Sequence, residues 1–225
     1  MERSTPELSF RESMSGHFAL GTTDPDQGSE AGKAAGNRLT LNAEITIRDM
    51  DRFIADPDHA GEMEARIDLD ALGGSFPAKR ATFDLFSPSD RPELKLMVYE
   101  LAITAQGMDY YFAGRKEIRD DPGIDLWADT TTLRVRLHEG SSTAGPVVGA
   151  GVLTISVPEL LRLTASMRVR NARSPAEAAA VVGAFGRFFM GALWDTYSPA
   201  WTRRPPLWRR LWDRLLGLRG PAGGS

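Results

Sequence analysis

Apolar and polar residues alternate along much of the chain before residue 158. The alternation is most regular in residues 39–47, where the apolar positions are Leu39, Leu41, Ala43, Ile45 and Ile47. Such spacing predicts a β-strand with one face in a core and the other in water. Residues 63–69 and 133–137 repeat this pattern, and less regular versions occur in residues 10–20, 76–86, 94–104, 109–118 and 147–157. The sequence therefore predicts about eight strands.

Turn-forming residues separate these segments. They include Gly73-Gly74, Ser87 to Asp90, Gln106-Gly107 and Gly140 to Pro146. Because no long helical crossover is available, successive strands are expected to pair antiparallel. We predict a mainly β fold, an antiparallel meander of about eight strands that closes as a barrel, with a sandwich as the alternative. Closure favours the barrel because it removes exposed sheet edges.

Helical patterns interrupt and follow the strands. Residues 49–56 predict a short helix with Asp49 as its N-cap, ended by Pro57. Residues 159–169 and 175–197 carry helical spacing, so the strands are followed by C-terminal helices. Residues 21–38 are rich in glycine, alanine and charge without periodicity, which predicts a mobile loop.

The last of these helices carries a broad aromatic stripe that predicts burial against one side or end of the sheet. The stripe consists of Phe185, Phe188, Phe189, Leu193 and Trp194. Prolines at 199, 205 and 206 then separate a tail from the body. We predict an N-terminal extension over residues 1–7, one domain over residues 8–198 and a basic amphipathic tail over residues 199–225.

Length and composition narrow the class of protein. A chain of 225 residues with a net charge of −3 fits one sizeable globular domain. The absence of cysteine excludes disulfides, thiolate nucleophiles and cysteine-based metal sites. No apolar run suggests a signal peptide or a membrane span. We therefore expect a cytoplasmic location, with peripheral attachment to the inner membrane face as a possibility.

Residues 207–218 predict an amphipathic helix in the tail. On a helix, one apolar stripe contains Leu207, Trp208, Leu211, Trp212, Leu215 and Leu218, and the opposite side contains Arg209, Arg210, Asp213 and Arg214. Indole and guanidinium groups suit the headgroup region of an anionic bilayer, and the segment is too short to span one. The predicted membrane-binding residues are Trp208, Leu211, Trp212, Leu215, Arg209, Arg210 and Arg214. A partner protein is the alternative surface, and the mildly acidic body gives little support for nucleic-acid binding.

Catalytic motifs are not apparent in the sequence. Gly149-Ala150-Gly151 resembles the start of a dinucleotide-binding fingerprint, but Thr154 stands where the third glycine belongs. These small residues predict instead a tight bend or an inner layer of the sheet. The sequence also lacks the nucleophile-elbow and phosphate-loop patterns. It leaves enzymatic activity undecided and favours a non-catalytic role.

One acidic segment is a candidate calcium site, because clustered carboxylates repel one another until a cation neutralises them. The candidate ligands are Asp120, Asp121, Asp125 and Asp129. Turn formation, capping of backbone amides and ion pairs with the basic residues at 115, 116 and 119 are the alternative explanation. No other cofactor is predicted.

Five segments together resemble an uncharacterised β-rich domain of bacterial lipid-oriented proteins. The matching residues are Phe10, Glu12, Met14 and Gly16, then residues 53–59, 72–74, 120–133 and 185–197. That domain is found beside cholesterol-oxidase-like flavin oxidoreductases of the glucose-methanol-choline type and beside α/β-hydrolase modules. The resemblance covers about residues 8–198 and implies a sterol or lipid setting, with no specific reaction. The 225 residues carry neither a flavin nor a hydrolase motif.

Three hypotheses for function follow. The first is a non-catalytic, lipid- or sterol-associated accessory domain that the tail docks on a membrane. The second is a barrel-type carrier or enzyme for a small hydrophobic ligand, with Glu12, Tyr99, Tyr110 and Arg134 as candidate polar lining. The third is a docking subunit of a separate sterol or lipid oxidoreductase. A barrel interior filled with side chains would argue against the second hypothesis.

Overall fold

A computed structural model describes residues 5–91, 94–119 and 130–197, with the backbone alone for residues 119 and 193–197. The strands are β1 (Glu7–Leu20), β2 (Arg38–Ile47), β3 (Ala60–Leu69), β4 (Gly74–Pro77), β5 (Arg80–Pro88), β6 (Leu94–Ala105), β7 (Met108–Arg119), β8 (Thr132–Glu139), β9 (Val147–Thr154) and β10 (Arg168–Arg170). The helices are α1 (Pro25–Ala35), α2 (Met50–Ala55), α3 (Val157–Ser166) and α4 (Pro175–Tyr197), with a 3-10 turn at Asp70–Leu72.

Eight of the strands form a closed antiparallel barrel, as predicted. Their order is β1, β2, β3, β5, β6, β7, β8 and β9. The barrel closes where Ser15 to Leu20 of β1 pair with Gly149 to Thr154 of β9. The short strands β4 and β10 pair with β3 and β1 respectively. The predicted strand at residues 76–86 is therefore divided between β4 and β5.

Alternating side chains of the strands fill most of the barrel interior. The apolar positions predicted in β2 all face inward and are buried, and Leu133, Val135 and Leu137 of β8 are completely buried. Gly149 and Gly151 lie within β9, where a Cβ would collide with Phe18 or with the backbone of His17. These glycines allow β1 and β9 to approach closely. This agrees with the prediction that the small residues belong to an inner layer of the sheet.

Helix α4 covers one end of the barrel. Phe185 is buried there, with its ring centroid 5.5 Å from that of Phe10 and 6.5 Å from that of Phe53. Phe188 and Phe189 pack against Phe86. The predicted bounds and role of this helix are thus confirmed, although the side chains of Leu193 and Trp194 lie outside the described ones. No helix in the described ranges is long and apolar enough to cross a membrane.

The prediction of a mobile loop at residues 21–38 is wrong. Asp24 caps helix α1 by accepting a hydrogen bond from the backbone N–H of Gln27 at 2.9 Å. The helix lies on the outer face of β1 and β9. Gly28 and Gly32 are buried in this contact, where added Cβ atoms would lie 2.1 Å from the Ala150 oxygen and 2.4 Å from the Phe18 oxygen. The glycines that lower helix propensity are those that allow the helix to dock.

Strand β1 leaves a gap in the barrel wall. Its residues 7–9 pair with β10 and its residues 15–20 pair with β9. Within the described residues, 10–14 pair on one side only, with β2. Helix α3 packs against this segment, and Ser166 Oγ accepts a hydrogen bond from the Arg11 backbone N–H at 2.8 Å. The helix predicted over 159–169 ends at Ser166, because the following residues leave it to form β10.

Candidate functional site: a buried polar cluster

Three polar side chains meet inside the barrel, and one of them belongs to the segment of β1 at the gap. They are Glu12 of β1, Tyr99 of β6 and Lys116 of β7, and we call them the Glu12 cluster. Glu12 is 6% exposed, and Tyr99 and Lys116 are each 2% exposed. Charged residues are rarely buried to this extent unless they are paired.

Both carboxylate oxygens of Glu12 accept a hydrogen bond. The Tyr99 hydroxyl donates to Oε2 at 2.7 Å, and the Lys116 ammonium donates to Oε1 at 3.0 Å. The ammonium also lies 5.1 Å from the centroid of the Tyr99 ring, within the range of a cation–π contact. Lys116 has three ammonium N–H groups, and one of them donates to Glu12. The other two have no hydrogen-bond acceptor among the residues that the structure describes.

The tyrosine acts as a fixed donor in this arrangement. Burial raises the pKa of Tyr99 well above its usual range, and the charge and hydrogen bond of Glu12 raise it further. Its hydroxyl therefore stays protonated and donates to the carboxylate at any ordinary pH. The ring of Phe83 packs edge-on against Tyr99, with 5.2 Å between the centroids.

Strand parity places the three side chains in the interior. Tyr99 pairs directly with Gly114, and Lys116 pairs with Met97 on the same two strands. In β7 the even-numbered residues face inward, so Lys116 follows Phe112 and Gly114 into the barrel. Long side chains from β6 and β7 can then reach Glu12 on the opposite part of the wall.

The structure bears on the four candidate lining residues individually. Glu12, Tyr99 and Tyr110 are buried, as expected for inward-facing residues. Arg134 is not part of the lining: its side chain is 48% exposed and faces Asp26 of α1, with 3.7 Å between Nε and Oδ1. The correction follows from β8, where Leu133 and Val135 occupy the inward positions on either side of Arg134.

Small side chains lie beside the cluster. Ala43 of β2 pairs with Glu12, and Ala65 of β3 pairs with Ala43. Larger residues hold the neighbouring inward positions, such as Leu41 and Ile67. Large apolar side chains occupy most of the other inward positions.

An open groove of about 870 Å³ borders Glu12. Its walls come from β1, β2, β3, the segment joining β4 to β5, and helix α3. The volume lies within the range of pockets that hold small molecules. The groove extends from Ser166 on α3 to Ala81 on β5, and therefore includes the helix that covers the gap in the wall.

Charged side chains of both signs line the groove. Its cationic lining residues are Arg11, Arg66, Lys79, Arg80 and Arg162, and its anionic ones are Glu12, Glu44, Glu64 and Glu159. Some of these charges neutralise each other, as in the ion pair of Arg11 with Glu44 at 2.9 Å. Because Glu12 is already paired with Lys116, five cationic and three anionic side chains remain in the lining.

The other predicted sites fall outside the described residues. These are the tail residues around Trp208 and Trp212, and the acidic residues Asp120, Asp121, Asp125 and Asp129. Among the residues that the structure describes, no group of three His, Asp or Glu side chains could hold a metal ion. The calcium and membrane sites thus stay predictions from the sequence.

Comparisons of the chain with protein-family models, curated proteins and solved structures find no match. The resemblance to a domain of lipid-oriented bacterial proteins therefore stays a prediction. The site offers a buried ammonium that contacts a carboxylate and a phenol ring and has two N–H groups without an acceptor in the described part of the chain.

Proposed function

We propose that this chain is a lipid-associated domain whose barrel binds one small, largely apolar molecule beside the Glu12 cluster. The observation that carries the proposal is the charged pair retained inside an otherwise apolar barrel. Replacing a buried ion pair with apolar residues is often neutral or stabilising, so stability alone gives weak reason to keep one. A role in recognising the polar end of a ligand gives a stronger reason.

The size of the barrel and its surroundings support this proposal. An eight-stranded barrel is wide enough either to be filled by side chains or to hold one small ligand. The alanines beside Glu12, the one-sided pairing of β1 and the groove bordering Glu12 all occur at the same part of the wall. A ligand would enter here, with its polar end at Lys116 and its apolar part along Ala43 and Ala65.

The test is to extract the purified full chain with organic solvent and identify any stoichiometric lipid by mass spectrometry. A variant that combines Glu12→Leu with Lys116→Met removes the charged pair and leaves no unpaired charge. The matched control is Arg48→Met with Glu62→Leu, which removes an exposed ion pair between the residue after β2 and strand β3. We expect a defined molecule from the native chain and the control, and its loss from the cluster variant.

An empty extract from the native chain, with no ligand bound on adding candidate lipids, would overturn the proposal. Equal lipid content in the cluster variant and the native chain would overturn the assigned position. Circular dichroism of each variant would separate loss of binding from loss of fold.

Membrane docking by the tail is a second candidate function, carried by the amphipathic pattern of residues 207–218. In this proposal Trp208 and Trp212 enter the interface, and each nearby arginine contributes roughly 1 kcal/mol at an anionic surface. We expect the full chain to sediment with anionic vesicles, less so at high salt because of screening. The double variant Trp208→Ser with Trp212→Ser should sediment less.

A matched control for docking is Leu161→Ser on helix α3, which removes an apolar side chain that is 44% exposed in the described part of the chain. Sedimentation of the tryptophan variant equal to that of the native chain would overturn the membrane assignment. Co-purification of an oxidoreductase that depends on the same tryptophans would instead favour the docking-subunit hypothesis.

A further inference from the structure

We infer that the ligand of the Glu12 cluster is uncharged and presents a hydroxyl or carbonyl oxygen to Lys116. This inference rests on the proposed function and adds the chemical class of the ligand. It follows from the charge of the cluster and from its hydrogen-bonding capacity.

The cluster is neutral as it stands. Lys116 supplies one positive charge, Glu12 supplies one negative charge, and the protonated Tyr99 supplies none. A carboxylate ligand would place a second negative charge beside Glu12, and an ammonium ligand would place a second positive charge beside Lys116. An uncompensated charge in an apolar interior is strongly unfavourable, so a neutral polar end binds best.

The hydrogen-bonding capacity of the cluster favours a ligand whose polar end accepts a hydrogen bond. Both oxygens of Glu12 are engaged, by Tyr99 and by Lys116. Two N–H groups of Lys116 have no acceptor among the described residues. An alcohol or ketone oxygen can accept one of them without displacing the existing bonds, whereas a ligand with only apolar groups cannot.

Neutral amphipathic molecules whose polar end is an oxygen form the class of ligand that fits these donors. The class includes long-chain alcohols, ketones and sterol-like alcohols.

The test compares two ligands that differ in their polar end alone, decanol and decanoate, by isothermal titration calorimetry with the full chain. We expect decanol to bind about tenfold more tightly, or more, which corresponds to about 1.4 kcal/mol. Glu12→Gln leaves the cluster with a net positive charge, so this variant should lose the preference for decanol or reverse it. Glu44→Gln is the matched control, because it removes a groove carboxylate outside the barrel and should keep the native preference.

The outcomes separate the inference from the proposed function. Native protein that binds decanoate as tightly as decanol overturns the inference, as does a Glu12→Gln variant with the native preference. Binding of neither ligand overturns the proposed function itself. If Glu12→Gln does not fold, the Glu12→Leu and Lys116→Met double variant provides the test, because it lacks the ammonium donor and should bind decanol at least about tenfold more weakly than the native chain. Equal decanol affinity of the double variant and the native chain overturns the inference.

Discussion

Lys116 and Glu12 neutralise each other at a position where both side chains are almost completely buried. Lys116→Met alone leaves the Glu12 carboxylate buried without its cation, which is expected to lower the free energy of unfolding by roughly 3–5 kcal/mol. Adding Glu12→Leu removes the remaining charge and should restore most of that loss. Urea unfolding of the single and double variants measures both changes. Equal stability of the two variants would contradict this account of the pair.

Asp84 of β5 is expected to make stability depend on pH. Burial, followed by the charges of Asp58, Glu100 and Asp56, raises its pKa to about 6. In the unfolded chain an aspartate ionises near pH 4, so between about pH 4 and pH 6 the folded state binds more protons. The contribution of Asp84 therefore lowers the free energy of unfolding as pH rises through this window.

Asp84→Asn should remove that pH-dependent loss. Because the side chain is only partly buried, screening by solvent reduces the expected gain at pH 7 to about 1 kcal/mol, with no gain at pH 4. Thermal unfolding across pH 4 to 8 measures the difference. Asp90→Asn changes an exposed aspartate and serves as the control. A gain of the same size at pH 4 would show that ionisation is not the cause.

Parity explains which residues of the site could be predicted. Glu12 and Tyr99 were predicted only as candidate lining residues, because the sequence did not assign the inward face of each strand. Lys116 was predicted only as a partner for the acids of residues 120–129, although lysine is seldom buried unless paired. The signal that could have found it is its even position after Tyr110 and Phe112. Arg134 failed the same criterion, since its neighbours at odd positions are the apolar ones.

A glycine substitution in helix α1 tests whether close packing against the barrel or intrinsic helix propensity determines the stability of this helix. Gly32→Ala should raise intrinsic helix propensity by up to about 1 kcal/mol. However, the new methyl group would lie within 2.6 Å of three backbone atoms of Phe18, so the helix must shift away from the barrel. We expect a net loss of about 1–3 kcal/mol in unfolding free energy, as is typical of overpacking.

The control for this prediction is Lys33→Ala, which changes an exposed position of the same helix without entering the contact. Differential scanning calorimetry of both variants gives the comparison. An increase in stability for Gly32→Ala would mean that the helix can move outward at little cost.

The same helix shows which kind of secondary-structure element could not be predicted from the sequence. Strand alternation and the cap at Asp49 depend on neighbouring residues, so β2, α2 and the bounds of α4 could be predicted. Helix α1 contains glycines that disfavour an isolated helix and forms against a surface provided by β1 and β9. Those two strands are distant in sequence, and no local pattern reports their contact.

Closure of the barrel is expected to determine how fast the whole molecule refolds. Strand β1 pairs with β9 across a sequence separation of 139 residues between Ser15 and Thr154. Such a non-local contact is entropically costly to form, so we expect refolding on the millisecond to second scale. The hairpin of β6 and β7 turns at Gln106 and Gly107 and needs no distant partner.

Pulse-labelling hydrogen exchange during refolding tests this order. Amides that join β6 to β7 should gain protection before those that join β1 to β9. Earlier protection of the β1 and β9 pair would contradict the argument from chain closure. Equilibrium exchange of the native protein provides the reference for complete protection.

The neutral pair also has a consequence for the divergence of sequences that share this barrel. A substitution of Glu12 or Lys116 alone leaves one buried charge without its partner and destabilises the fold. Substitution of both residues by apolar ones leaves no such charge. The two positions lie 104 residues apart in the chain. The two positions should nevertheless vary together among related sequences. Each sequence should carry either an acid and a base as a pair or apolar residues at both positions.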